Sequence, residues 1–339
     1  MGAEFVQLKL TPMLIGVLAA IACALPGNFL LLRRQALVAD AIAHVALPGI
    51  VGAFLLTGLL TGAVMMAGAA AAAVAAVVLI EAVRRSARIE PGAAMATVFT
   101  AMFASGVLML EQGRVGNVHL DAEHLLYGNL ESLIWLAATG WGSLVDPEAL
   151  SALPEELPRL GAVVLMLVLM GVLFWRPLVA STFDESFAAA QGVPVKAVGI
   201  GLVLCAASAS VAAFEAVGPI LAIAMFICPA ASARLVTNRL RLQVGISVAI
   251  AAFAAIAGFW LAEALPVAFG RSQAVSASGM IAMVAGLMLL AACFLGPARS
   301  RLRVGEPDAN RAPEGPGPKR DQESAAAGRD RGSGRRRPG

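Results

Sequence analysis

The sequence predicts an all-α polytopic membrane protein: a bundle of about eight to ten transmembrane helices, some broken by proline or glycine. Three observations lead there. Hydrophobic residues make up 59% of the 339-residue chain and charged residues only 14%, where soluble domains carry roughly 25% charged residues. Mean hydropathy is +0.81. The apolar mass is Ala, Leu, Val, Ile and Gly with only 6% aromatics, which suits closely packed helices rather than an outer-membrane barrel.

A span needs about 20 consecutive apolar residues, and nine windows qualify: 12–32, 36–59, 62–83, 93–110, 160–175, 197–214, 216–233, 243–262 and 276–296. Only Glu4 and Lys9 carry charge before the first window. With no basic leader and no small-residue cleavage site, a cleaved signal peptide is not expected there. The second window contains Asp40 and His44. A carboxylate at mid-membrane costs roughly 2.5 to 3.5 kcal/mol on insertion scales, so such a residue is a functional candidate by default. A spacing of four residues puts both side chains on one helix face, about 40° apart. A carboxylate and an imidazole on one face can hold a divalent cation.

A tenth segment, 122–141, is apolar but carries Glu123, His124, Asn129 and Glu131. It reads as re-entrant, as interfacial, or as a polar span lining a cavity. The basic clusters are Arg33-Arg34, then Arg84, Arg85 and Arg88, then Arg234, Arg239 and Arg241, and the C-terminal tail. If segment 122–141 does not cross, nine spans place all of them inside, with the N-terminus outside. If it crosses, ten spans result and the first two clusters face outward. His119, Asp121, Glu123 and His124 form a weaker candidate, a metal vestibule, or else a solvated loop beside the membrane. The stretch from Trp141 to Pro158, with three prolines and four acids, reads as a solvated connection.

Residues 183–192 are short, polar and helix-prone between two spans, suited to lie along a cytoplasmic face. Asp184 and Glu185 also suit a helix N-terminus. Farther on, Glu215, Gly218, Pro219 and Pro229 interrupt one apolar run, where helical hydrogen bonding breaks and binding sites tend to form. Glu215 either adds an acid to a path or pairs with an arginine.

Residues 1–297 thus form a membrane domain, and 298–339 a basic cytoplasmic tail too poor in large apolar residues to fold. From Arg299 onward there are eleven basic and six acidic residues, leaving fourteen basic and sixteen acidic before it. The net basicity therefore belongs to the tail, which reads as a solvated extension; a nucleic-acid partner is not expected. Cys23, Cys205, Cys228 and Cys293 stand singly in apolar segments, so neither disulfides nor a zinc ribbon are expected. No phosphate-binding glycine loop occurs. The chain is therefore not expected to be an enzyme that hydrolyses ATP, although segment 183–192 could dock a separate motor.

The run from Gly27 through Arg33-Arg34 and Asp40-Ala-Ile-Ala-His44 to Leu47-Pro-Gly49 resembles the signature of the manganese, zinc and iron ABC transporter permeases, the ABC-3 type of type II importer. In that family the pattern runs from Gly-Ser-Phe through two arginines to Gly-Asp-Ala-Leu-Ser-His-x-x-Leu-Pro-Gly. Three further motifs follow in order. Leu125-Leu-Tyr-Gly-Asn is similar to Leu-Phe-Gly-Asn, and Phe183-Asp-Glu-Ser-Phe-Ala188 with Gly192 to Phe-Asp-Pro-Glu-Phe-Ala with its trailing glycine. Ala216-Val-Gly-Pro-Ile-Leu with Pro229-Ala-Ala-Ser-Ala-Arg completes the set. The resemblance covers residues 8–297. Asn28 stands where the family has Ser, Ala39 where it has Gly, and Ala43 where it has Ser or Ala; none removes a ligand.

The resemblance implies a permease subunit in the bacterial inner (plasma) membrane. It would pair with a second permease, identical or paralogous, with cytoplasmic ATP-binding subunits and with an extracytoplasmic metal-binding protein. Asp40 and His44 would line the path, two copies giving two carboxylates and two imidazoles, a set suited to Mn2+, Zn2+ or Fe2+ and not to Cu(I). Leu47-Pro-Gly49 resembles the manganese branch more than the zinc branch. No stably bound cofactor is implied. Phe183, Asp184, Glu185, Ala188 and Gly192 would couple to the ATPase. The competing readings are a permease for a chelate such as haem or a siderophore, an ion-coupled secondary transporter, and a non-transporting scaffold.

Overall fold

The computed structural model describes residues 2–59, 62–87, 90–112, 130–268, 270 and 275–295, and among these there are helices and turns but no strand. Helix α1 (Ala3–Leu32) is continuous through a π-helical turn at Val6–Leu10. It is followed by α2 (Ala36–Thr57), α3 (Gly62–Ala87) and α4 (Pro91–Gln112). Beyond residue 130 come α5 (Pro147–Ser151), α6 (Glu156–Leu173), α7 (Trp175–Phe183) and α8 (Glu185–Ala190). The chain continues as α9 (Val195–Val217), α10 (Pro219–Val236), α11 (Leu240–Ala268) and α12 (Ala277–Leu295).

Eight stretches in this set are long and apolar enough to cross a bilayer among the described residues, in α1, α3, α4, α6 and α9 to α12. The 22 residues of α2, at 1.5 Å per residue, span about 33 Å and match a hydrocarbon core of about 30 Å. The interrupted run near Glu215 resolves into two helices. Gly218, at φ +81°, ends α9, and Pro219 opens α10 at the one helical position where its missing N–H is harmless.

The directions of the helices bear on the alternative that the sequence left open. Arg33, just past α1, donates to Ser181 and Thr182 at the end of α7, so α2 starts at the end of the bundle where α7 finishes. Gly49 and Ala53 of α2 lie against Ala72 and Gly68 of α3, which makes this pair antiparallel. Ring contacts of His44 with Phe99 and Phe103, and of Pro48 with Gly106, make α4 parallel to α2. Gln112 therefore arrives at the end opposite Arg33. Residue 130 continues from that same end: Leu130 packs on Gly16, and Trp135 N–H donates to the Gln7 carbonyl at 2.9 Å. With α6 starting there too, α2 runs alongside the eight candidate spans, and segment 130–141 adds no further traverse of the bundle among the described residues. Arg33, Arg34, Arg84, Arg176, Arg239 and Arg241 fall at one end, the cytoplasmic one by the positive-inside rule.

The described part of the tenth segment, 130–141, is accordingly not a crossing helix. It makes a 3-10 turn at Leu130–Ser132 and then irregular chain around the buried Trp135. The following connection is more than a solvated loop. Trp135 Nε1 donates to the Ala149 carbonyl at 2.9 Å, Trp141 stacks on Phe5, and Asp146 caps α5 by accepting from Glu148 N–H at 3.1 Å. Two tryptophans supplied the apolar area that a count of prolines and acids overlooks.

Helix α1 occupies the centre. Ile15, Ala19, Ala20, Ala22, Cys23 and Ala24 are all at most 1% exposed. Lipid tails are as apolar as leucine, so helix association rests on close packing of small residues. A Cβ on Gly27 would strike the Phe226 backbone of α10, and one on Gly258 of α11 would strike Ile281 of α12. A polar clasp adds to this. Asn28 Nδ2 donates to the Ala24 carbonyl at 2.8 Å and to Ser247 Oγ at 2.6 Å, while Gln243 Nε2 donates to Asn28 Oδ1 at 3.2 Å. Asn28, Gln243 and Ser247 are fully buried. Each such interhelical bond contributes about 0.6 kcal/mol.

Candidate functional site

Helix α2 carries the first candidate pair. Asp40 belongs to this helix one turn before His44, while its side chain lies outside the described residues. The His44 ring is half-buried, 5.6 Å from Phe99 and nearly parallel to it at 28°, and 5.4 Å from Phe103 in an edge arrangement at 77°. Phe99 and Phe103 are four apart on α4 and so share a face. They restrict the imidazole to few orientations.

One turn beyond His44, Pro48 stays inside the helix. Having no N–H, it cannot give the carbonyl of His44 its helical hydrogen bond. Gly106 of α4 packs on it so closely that a Cβ there would lie 2.8 Å from the Pro48 nitrogen. On the other side Gly49 and Gly68 are mutually apposed, and a Cβ on either would meet the other's carbonyl oxygen. Small residues thus seat α2 tightly between α3 and α4, with the histidine on the α4 side.

Glu215 is held elsewhere, by an arginine. Glu215 Oε2 accepts from Arg159 Nη1 at 2.6 Å, both side chains about one-fifth exposed, and Arg159 also reaches Glu155 at 3.4 Å. Of the two alternatives for Glu215, the structure takes the arginine partner. His119, Asp121, Glu123 and His124 lie outside the described residues. Among the described residues no three of His, Cys, Asp and Glu gather as a metal site. His44 and Asp40 thus share one face of α2, one turn apart.

The polar stretch near residue 184 forms the second feature. Phe183 ends α7 and is exposed; Asp184 caps α8, its Oδ1 accepting from Phe187 N–H at 2.9 Å. Glu185 lies in the first turn, Ala188 is fully buried, and Gly192 adopts φ +79°, a left-handed conformation that favours glycine. Arg33 Nη2 donates to Ser181 Oγ at 2.8 Å and Nε to Thr182 Oγ1 at 3.2 Å. Burial holds the Arg33 pKa below its ordinary value, and the nearby Glu185 carboxylate partly offsets this. The turn carrying α2 away from α1 is therefore tied to the segment before α8.

Four positions escaped the sequence reading. Phe99 and Phe103 could have been found as an aromatic i, i+4 pair. Arg33 stands in the sequence as a topological charge and as part of the signature run, with nothing to announce its link to Ser181 and Thr182, and Arg159 carries no signal at all.

A match to the ABC 3 transport family covers residues 6–135 and 148–296. The chain belongs to the ABC 3 transport family. The manganese transport system membrane protein MntD of Bacillus subtilis (strain 168) is 38% identical over 283 residues, 84% of this ABC 3 chain and 90% of MntD. The zinc transport system membrane protein TroD of Treponema pallidum (strain Nichols) is 34% identical over 273 residues, 80% of this chain and 71% of TroD. Among solved structures, PsaBC from Streptococcus pneumoniae in complex with Fab superposes with a TM-score of 0.69 at 25% identity, covering 87% of this chain and 94% of that one. The match extends through α2 and the segment around α8, so both candidate features lie within the matched residues.

Proposed function

We propose that this ABC 3 chain is the permease subunit of an ATP-binding cassette importer that moves a divalent transition metal, Mn2+ or Zn2+ with Fe2+ within the same ligand range, into the cytoplasm. The relatives are named for manganese and zinc transport, which favours the metal ion as cargo over a haem or siderophore chelate, and membership of the ABC 3 transport family favours an ATP-driven system over ion coupling. Hydrolysis belongs to a separate cytoplasmic subunit. A second permease copy or paralogue completes the path, an extracytoplasmic metal-binding protein delivers the ion, and the bacterial inner membrane is the site of action. Residues 1–297 are the permease domain and 298–339 a basic cytoplasmic tail.

The carrying observation is His44. It is the only histidine among the described residues, sits within a membrane-crossing helix one turn from Asp40, and is flanked by Phe99 and Phe103. Imidazole nitrogen and carboxylate oxygen suit borderline divalent ions. A transport path needs enough ligand to admit the ion and little enough to release it, and two ligands per subunit meet that balance. The cation is cargo and not a resident cofactor.

The coupling reading rests on α8 and its flanks. The exposed Phe183 and Phe187 around the Asp184 cap present a short helix at the cytoplasmic end, where an ATPase can seat. Motion of that helix is relayed through Ser181 and Thr182 to Arg33, and from there to the start of α2. ATP-driven closure thereby biases the α2 interface between outward-open and inward-open forms.

The test is cation-stimulated ATP turnover by the chain assembled with its ATPase in proteoliposomes loaded with the binding protein. Stimulation by Mn2+ or Zn2+, with little by Mg2+ or by a haem or siderophore complex, is expected. Stimulation by a chelate alone overturns the reading.

A further inference from the structure

At the cytoplasmic end two cavities open side by side, of about 680 and 600 Å3, sharing Trp175 and Arg241 in their walls. Arg239 completes the basic rim of the first and Arg176 that of the second. All three arginines are exposed, and among the described residues none makes an ion pair with an acid. The Arg241 guanidinium lies 5.9 Å from the centre of the Trp175 ring. Beyond the rim the walls turn apolar: Leu242 is 52% exposed, Val172 72% and Leu173 66%. These are the last turn of α6 and the first turn of α11, both membrane-crossing helices.

A ligand fitting this surface has an anionic head and an apolar body. We propose that the paired cavities bind an anionic phospholipid of the inner leaflet, its phosphate on Arg176, Arg239 and Arg241 and its acyl chains against Val172, Leu173 and Leu242. Three observations favour a lipid. The unpaired charge is of one sign, at the cytoplasmic ends of α6 and α11. Trp175 stands between charged rim and apolar wall, as aromatic residues do at a membrane interface. The apolar walls continue onto helix faces that meet acyl chains, a continuity that a free phosphate would not use. Basic pockets between spans on the cytoplasmic side bind anionic head groups by this chemistry. The proposal stands apart from the transport path, whichever cation uses it.

The experiment measures quenching of Trp175 fluorescence by dibrominated phosphatidylglycerol and by dibrominated phosphatidylcholine in nanodiscs holding the full chain, with Trp175→Phe subtracted. Preferential quenching by phosphatidylglycerol is expected. Each guanidinium near the surface accounts for about a fivefold preference, so R239Q/R241Q should lose roughly twentyfold or more. R239K/R241K should keep most of the preference, and R84Q, a cytoplasmic-end change on α3, should keep all of it. Equal quenching by the two lipids overturns the proposal, as does full preference in R239Q/R241Q. Displacement by millimolar inorganic phosphate assigns the site to the free anion instead. Loss of quenching when the ATPase is added assigns it to the subunit interface.

Discussion

Arg33 Nη2 donates to Ser181 Oγ at 2.8 Å, joining the turn before α2 to the segment before α8 across 148 residues of sequence. Its Nε reaches Thr182 Oγ1 at 3.2 Å. One rigid guanidinium thereby grips two neighbouring hydroxyls, which a lysine ammonium cannot match in geometry. Arg33, three residues before α2 begins, is thereby tied to the end of α7, just ahead of α8.

Removing the link should uncouple the features without unfolding the bundle. Hydrogen bonds from charged groups contribute about 1.5 to 3 kcal/mol, so Arg33→Ala should lower cation-stimulated ATP turnover about tenfold or more while basal turnover holds. Arg33→Lys should recover part of it. Equal stimulated turnover in all three proteins would remove Arg33 from the relay.

The apposed Gly49 and Gly68 leave no room for a methyl group. Overpacking a filled interface costs about 1 to 3 kcal/mol. Gly49→Ala and Gly68→Ala should therefore each lower the melting temperature in detergent by several degrees. Gly52→Ala on the same helix, where a Cβ meets nothing within 4 Å, serves as the control and should melt like wild type.

Glu215 can be told apart from a path ligand by its partner. If its work is to hold Arg159, Arg159→Ala leaves a half-buried carboxylate alone and should destabilise the protein by about 1.5 to 3 kcal/mol. Glu155→Ala, which removes a mostly exposed partner, should change stability by under about 1 kcal/mol. Glu215→Gln should transport metal at near the wild-type rate once expression is matched. A large loss of transport at unchanged stability would return Glu215 to the path.

Much of the fold was legible because membrane crossing is a matter of length and composition. Windows such as 243–262 and 276–296 mark α11 and α12 with their ends displaced by a few residues. The break at Gly218-Pro219 was legible from the glycine and the proline themselves, whereas Pro229, expected to interrupt the same run, stays inside α10. The crossing number was not legible, because segment 122–141 is apolar enough to span yet its described part folds around Trp135 as a cap. That outcome depends on the partners Gln7 and Ala149, distant in sequence, and no local pattern announces them. The same holds for the site. Asp40 and His44 stand out by their spacing and setting, whereas Phe99 and Phe103 acquire meaning only when α4 lies parallel to α2. Arg159 is one basic residue at the head of a helix until Glu215 arrives from 56 positions away.

The central claim is that α2 lines the route of a divalent metal through Asp40 and His44. The direct measurement is uptake of Mn2+ and of Zn2+ into proteoliposomes by the assembled transporter carrying Asp40→Ala or His44→Ala, at matched reconstitution and with melting temperatures checked. The account predicts that each variant loses uptake by about a hundredfold, with the fold intact and the ATPase still bound. Uptake at the wild-type rate in both variants would contradict it.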